Sequence, residues 1–116
     1  MKKLSIYVFL ALIFCNTIFA DNLKIVDGDT IMLNGEKIRF SGIDTPELKQ
    51  TCMNGSEKVF CGNSAKMLLV KKIVNQTLEC IWVGKDVYKR TLAECFINEE
   101  SISVFLVRSG YAFVYR

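Results

Sequence analysis

From Leu23 onward the chain alternates short apolar, β-branched runs with turn signals. Leu23 to Val26 reads as a first strand, Asp27-Gly28 as a turn, and Thr30 to Leu33 as a second strand. Asn34-Gly35 marks a two-residue hairpin turn, after which Lys37-Ile38-Arg39-Phe40-Ser41 alternates polar and apolar without exception. Three strands joined by tight turns make a meander. Between Asp44 and about Gly62 this alternation stops. That stretch holds the one Pro of the chain, two Gly and two Cys, and reads as a loop with one helical turn after Pro46.

Helical spacing returns with Ala65, Leu68, Leu69 and Ile73, predicting a helix capped by Asn63 or Ser64 and running to about Val74. Lys71 and Lys72 suit its C-terminal end. Thr77 to Val83 and Arg90 to Ile97 are the next two strands, with the polar loop Gly84–Lys89 between them. Ser101 to Arg108 reads as a short helix with Ile102, Phe105 and Leu106 on one face and Gly110 as its stop. Tyr111 to Tyr115 is a last extended piece. The order of three strands, helix, two strands and helix predicts an α+β, mainly β fold: a five-stranded OB-fold barrel carrying two or three short helices.

Composition changes the picture at the N-terminus. Lys2 and Lys3 precede an apolar run from Leu4 to Cys15, and Ala20 stands before Asp21, the pattern of a secretory signal peptide over residues 1–20. An uncleaved anchor is the rival, at the lower limit of a membrane-spanning length. A lipid-modified Cys15 is disfavoured by the bulky Phe14 before it. The remaining domain, residues 21–116, is a single unit, since 116 residues leave no room for a second. Of 15 Lys and Arg residues, Lys2 and Lys3 fall in the leader, so the domain has 13 basic against 12 acidic side chains. That near-neutrality rules out a polycationic nucleic-acid coat, and any phosphate contact must rest on a few placed cations or a metal.

The chain has no His, which excludes Ser-His-Asp and Cys-His triads and His-ligated zinc. Cys52, Cys61, Cys80 and Cys95 form an even set in an exported domain, a disulfide framework with three possible pairings. Cys52–Cys61 with Cys80–Cys95 is the favoured one. Placing Cys80 opposite Cys95 centres the hairpin at Val87–Tyr88, within the polar loop. No Cys-x-x-Cys spacing supports zinc.

Candidate chemistry follows from the charges. Asp29 shares strand parity with Ile31 and Leu33, an expensive place for a carboxylate without a cation or metal. Asp44-Thr45-Pro46-Glu47 also reads as a helix start, with Thr45 as N-cap. Arg39 lies on the polar side of its strand, and Arg90 follows Lys85 and Lys89. Together these residues describe one reaction. Asp29 and Asp44 are hard oxygen ligands suited to Ca²⁺ or Mg²⁺, and Glu47 is placed to orient or deprotonate a water. Arg39 and Arg90 can fork onto phosphate oxygens and offset charge at a five-coordinate phosphorus. In an OB barrel, the first hairpin loop and the loop between strands four and five meet at one end, here Asp27–Thr30 and Gly84–Lys89.

Three segments carry a family likeness: Val26-Asp27-Gly28-Asp29-Thr30, Ile38-Arg39-Phe40-Ser41-Gly42-Ile43-Asp44-Thr45-Pro46-Glu47, and Asp86-Val87-Tyr88-Lys89-Arg90-Thr91-Leu92-Ala93. With Leu106-Val107-Arg108-Ser109-Gly110-Tyr111-Ala112 following in order, the chain resembles the staphylococcal thermonuclease family over most of residues 23–115. The four-cysteine arrangement resembles that of secreted bacterial members with two disulfides. The resemblance implies an OB-fold nuclease that uses Ca²⁺ to hydrolyse DNA and RNA at the 5′ P–O bond, leaving 3′-phosphate ends. It implies Asp29, Asp44 and the Thr45 carbonyl as metal ligands, Glu47 as general base, Arg39 and Arg90 on the scissile phosphate, and Tyr88 on the nucleotide. Single-stranded substrates, a monomer without stable membrane association, and a secreted or periplasmic location complete that expectation. Three departures stand out. Lys89 replaces a usual Gly, Val87 stands where some members have Lys, and the sequence ends at Arg116 where many relatives continue into a helix. The alternative is an inactive OB-fold module that binds nucleic acid or protein without cutting.

Overall fold

The computed structural model describes residues 22–114. The segment read as a signal peptide, residues 1–20, and the last two residues lie outside them. Strands β1 (Leu23–Asp27), β2 (Thr30–Leu33) and β3 (Glu36–Phe40) form the expected antiparallel meander, with Leu23 opposite Leu33 and Ile31 opposite Ile38. Asn34 and Gly35 join β2 to β3 with φ of 51° and 83°, the left-handed pair that a two-residue hairpin turn requires.

Strand β4 (Ile43–Asp44) follows, and then a difference from the sequence reading. Pro46 is followed by a single hydrogen-bonded turn at Leu48 and Lys49, closed by the Gln50 N–H on the Glu47 carbonyl, and not by a helix, and the Thr45 hydroxyl caps nothing. The stretch read as loop contains a small hairpin instead, β5 (Cys52–Asn54) and β6 (Glu57–Val59), turned at Gly55 with φ of 67°. Helix α1 spans Cys61–Ile73, and neither Asn63 nor Ser64 caps it. Phe60 takes the cap position without a side-chain bond, while the Gly62 N–H donates to the Gln50 carbonyl at 3.2 Å. The preceding loop thus satisfies a free helix-end N–H that a polar cap would otherwise serve. Cys61, Ala65, Leu69 and Ile73, one turn apart, form its buried stripe.

Strand β7 (Glu79–Lys85) starts and ends two residues later than its apolar pattern predicts, because Ile81, Trp82 and Val83 are all exposed and give no burial signal for register. Strand β8 (Thr91–Ile97) alternates buried and half-buried residues along its whole length. A two-residue strand, β9 (Glu100–Ser101), leads into helix α2 (Ile102–Arg108). Ser101 caps α2 by accepting the Val104 N–H, and Gly110 stops it with φ of 82°. Strand β10 (Phe113–Val114) pairs with β4.

The principal strands run in the order β1-β2-β3-β8-β7, with β3 and β8 parallel and the other neighbours antiparallel, which is the strand order of an OB-fold. Phe40, Ile31 and Ile38 pack with Leu69 of α1 and with Ile102 and Leu106 of α2 into one core. Each such side chain, fully buried, contributes about 1.5–3 kcal/mol. Both favoured disulfides are formed, Cys52–Cys61 and Cys80–Cys95. Cys80 and Cys95 are direct cross-strand partners, as the hairpin centring requires.

Candidate active site

The β1–β2 turn, the β3–β4 connection and the β7–β8 turn meet at one rim of the sheet. Asp29 lies in the first of these and is only 7% exposed. One of its carboxylate oxygens, Oδ1, accepts the Thr30 hydroxyl at 2.9 Å. The other, Oδ2, accepts the Thr45 backbone N–H at 3.1 Å and meets Arg39 Nη1 at 2.9 Å. Burial opposes charge at Asp29, but Asp27, the Thr45 N–H, Arg39 and Thr30 together hold its carboxyl below the usual range. Burial and the neighbouring Asp29 push the Asp27 carboxyl the other way.

Arg39 is not the free surface residue that its strand parity suggests. Its Nη2 reaches Asp44 Oδ1 at 3.1 Å while Nη1 holds Asp29, so the guanidinium bridges the two carboxylates. The fork geometry of Arg makes this double contact possible. Burial works against its charge, and Asp29 and then Asp44 more than offset that, raising its pKa.

The segment carrying Thr45 and Glu47 is seated by close backbone packing. At Gly28, an added Cβ would lie 2.8 Å from Thr45 Oγ1, and at Gly62 it would lie 1.7 Å from the Glu47 carbonyl oxygen. Glu47 donates its N–H to Gln50 Oε1 at 3.1 Å and its carbonyl accepts the Gln50 N–H at 2.8 Å. The Cys52–Cys61 bridge ties the end of this loop to the first turn of α1.

Arg90 is held by a residue that the sequence reading did not single out. Asp86 Oδ2 meets Arg90 Nε at 2.6 Å, and its Oδ1 accepts the backbone N–H groups of Arg90 and Tyr88 at 2.8 and 2.9 Å. The turn brings Lys89 to φ of 64°, a region costly for a side chain with a Cβ. Tyr88 is 77% exposed, and the Arg90 guanidinium lies 5.4 Å from its ring centroid. The Asp86-x-x-x-Arg90 spacing was the available signal, as Asp27-x-Asp29 was for Asp27.

These elements enclose two adjoining cavities. One of about 420 Å³ is lined by Asp27, Asp29, Thr45, Glu47 and both arginines. The other, about 650 Å³, shares Arg39, Asp44, Glu47 and Arg90 and adds Lys85 and Tyr88. Every charged residue expected at the site therefore faces one shared space. Arg90 reaches it without an ion pair to Asp29, Asp44 or Glu47 among the described residues.

The donor chemistry suits a hard divalent cation. Four carboxylates against two guanidiniums line the smaller cavity, and Thr45 Oγ1 is a buried oxygen without a hydrogen-bond partner. All are oxygens of the type that Ca²⁺ and Mg²⁺ prefer. Among the described residues no three carboxylates converge as a ready ligand group, since Arg39 holds Asp29 and Asp44 between them.

Fold and site together define an OB-fold domain with an oxygen-rich, arginine-braced cavity at its rim. The family model described as staphylococcal nuclease homologue matches residues 37–116. The chain belongs to the staphylococcal nuclease family. It is 34% identical over 95 residues to the thermonuclease of Staphylococcus intermedius, covering 77% of this chain and 55% of that one. It is 31% identical over 92 residues to the succinoglycan biosynthesis protein ExoI of Rhizobium meliloti, with 77% and 48% covered. An uncharacterized endonuclease of Haemophilus influenzae is 30% identical over 99 residues, with 81% and 51% covered. The chain spans about half the length of these curated relatives.

Proposed function

We propose that this chain is a Ca²⁺-dependent nuclease that hydrolyses phosphodiester bonds of DNA and RNA. One observation carries the reading: Arg39 and Arg90 line a single cavity with the carboxylates of Asp29 and Glu47. Family membership and the nuclease names of relatives support it.

Asp29, Asp44 and the Thr45 carbonyl would hold the ion, which when bound supplies positive charge against the phosphoryl oxygens. Arg39 and Arg90 present forked N–H donors to the non-bridging oxygens and offset the charge added as phosphorus becomes five-coordinate. Glu47 takes a proton from the attacking water. The water oxygen bonds to phosphorus, the bond to the 5′ oxygen breaks, and that oxygen leaves with a proton from solvent. The products are a 3′-phosphate and a 5′-hydroxyl. Tyr88 contacts the nucleotide, and placement and charge do most of the catalysis.

The same proposal makes residues 1–20 an export signal and residues 21–116 the working domain, with single strands as the favoured substrate. The two disulfides support an oxidising destination. The test is a digest of DNA and RNA by the purified, oxidised domain with Ca²⁺ and with a chelator. Cleavage that stops with chelator is the expected result. Binding without cleavage in Ca²⁺ overturns the reading in favour of an inactive OB-fold module.

A further inference from the structure

Strand β7 ends the main sheet, and among the described residues it pairs with β8 alone. Its middle is Ile81-Trp82-Val83, with the single Trp of the chain at the centre, and these side chains are 62%, 57% and 60% exposed. Strand alternation ordinarily turns at least one of three successive residues toward a covered face. Here the pairing with β8 shifts register between Trp82 and Gly84, and such a bulge re-aims the side chains beside it. A bulge is also one device that blunts a free edge, yet no charge and no Pro stands within Ile81–Gly84 to complete the protection. The charges sit at the ends of the strand instead. Glu79 opens β7 and Lys85 closes it, both are exposed, and neither forms an ion pair among the described residues.

That order is complementary to itself. When β7 is set antiparallel to a second β7 about Trp82, Glu79 falls opposite Lys85 of the second copy, and Lys85 falls opposite its Glu79. Ile81 then meets Val83 across the pair, and Trp82 meets Trp82. Directly opposed residues of antiparallel strands interact, opposite charges and apolar or aromatic pairs favourably. Two oppositely charged pairs therefore flank an apolar centre, and one two-fold axis occupies both free edges at once. A parallel pairing in the same register loses this match, since Glu79 would stand beside Glu79 and Lys85 beside Lys85. The domain's 13 basic and 12 acidic side chains add little net repulsion between copies. We propose that two copies of this chain associate through β7 as an antiparallel, two-fold pair. This replaces the monomer that the family resemblance implies, and it is independent of the nuclease reading. Because Lys85 also lines the larger cavity, the pair ties each rim to the far end of its partner's β7.

The test is analytical ultracentrifugation of the purified, oxidised protein from low to several hundred micromolar, which reads mass without reference to cleavage. The weight-average mass should rise from one chain toward two and stop there. Glu79→Lys or Lys85→Glu puts like charges opposite each other twice in the pair, so each should raise the dimer dissociation constant roughly tenfold. An equimolar mixture of these two variants should recover the wild-type mass, because one copy then offers only positive ends and the other only negative ones. A folding defect in either variant cannot produce that recovery. Trp82→Thr, which keeps a strand former at an exposed position, should weaken the pair to a similar extent. A wild type of one-chain mass throughout overturns the proposal, as does a mixture that stays at one-chain mass. A dimer that both charge variants leave intact lies on another surface and overturns it too. A mass that climbs past two chains marks open edge-to-edge stacking and overturns the closed pair.

Discussion

Gly62, in the first turn of α1, lies directly beneath the carbonyl of Glu47, so near that an added Cβ would stand 1.7 Å from that oxygen. The helix end and the loop carrying the proposed base are thus one packed unit. Gly→Ala within a helix ordinarily stabilises by about 1 kcal/mol. Here Gly62→Ala should instead destabilise by roughly 2–3 kcal/mol, because the obstacle is backbone. Urea denaturation measures this, and a stability gain would contradict the packing.

Arg39 bridges Asp29 and Asp44, and removing it leaves Asp29 nearly buried without its cation. Arg39→Ala should lose roughly 2–3 kcal/mol of stability and lower kcat by about 10²–10³. Arg39→Lys should recover part of the stability and little of the rate, since one ammonium cannot make both forked contacts. Denaturation and single-turnover cleavage of the three proteins separate the two effects.

Asp86 should set both the aim of Arg90 and an acid-sensitive share of stability. Partial desolvation raises its pKa, but the Arg90 N–H, the Arg90 guanidinium and the Tyr88 N–H hold the carboxyl below 3.8. The folded state therefore binds fewer protons than the unfolded one. This stabilisation is fully present above the ordinary carboxylate value and is lost as pH falls through the lowered folded one. Asp86→Asn should flatten the acid limb of the stability curve and slow cleavage by about ten- to a hundredfold. Denaturation at stepped pH, beside cleavage at neutral pH, checks both.

Lys89 holds φ of 64° in the turn before Arg90. Relieving that conformation, Lys89→Gly should stabilise by about 1 kcal/mol, and Lys89→Val should destabilise. A rise in Tm for Gly and a fall for Val is the expected thermal result.

The Cys80–Cys95 bridge closes 15 residues, and Cys95 is fully buried. Reduction, or replacement of both cysteines by Ala, should remove about 3 kcal/mol. An unchanged Tm in reductant would argue against a stabilising role.

What the sequence showed and hid has physical causes. The meander and β8 were legible because one face is buried and the alternation survives. Helix α2 was legible because Ile102, Phe105 and Leu106 repeat on one face and Gly110 follows, although Ser101, read as its first residue, is its cap. The β5–β6 hairpin was missed although Asn54-Gly55 is a strong turn signal, since its strands are short and mostly exposed. The start of α1 was missed because backbone packing at Gly62 replaces a polar cap. The approach of Arg39 to Asp44 is a tertiary contact across a turn, and strand parity alone described it as surface.

The parallel contact between β3 and β8 sets Ile38 against Thr91, uniting segments made far apart in the chain. A polypeptide synthesised only through α1 holds Asp29, Arg39, Asp44 and Glu47 but lacks Arg90 altogether. Such non-local pairing is slow to nucleate relative to a local hairpin. Under the nuclease reading, an incompletely made chain lacks one of the two arginines proposed to bind phosphate, and the cavity is not assembled until β7 and β8 have zipped into place.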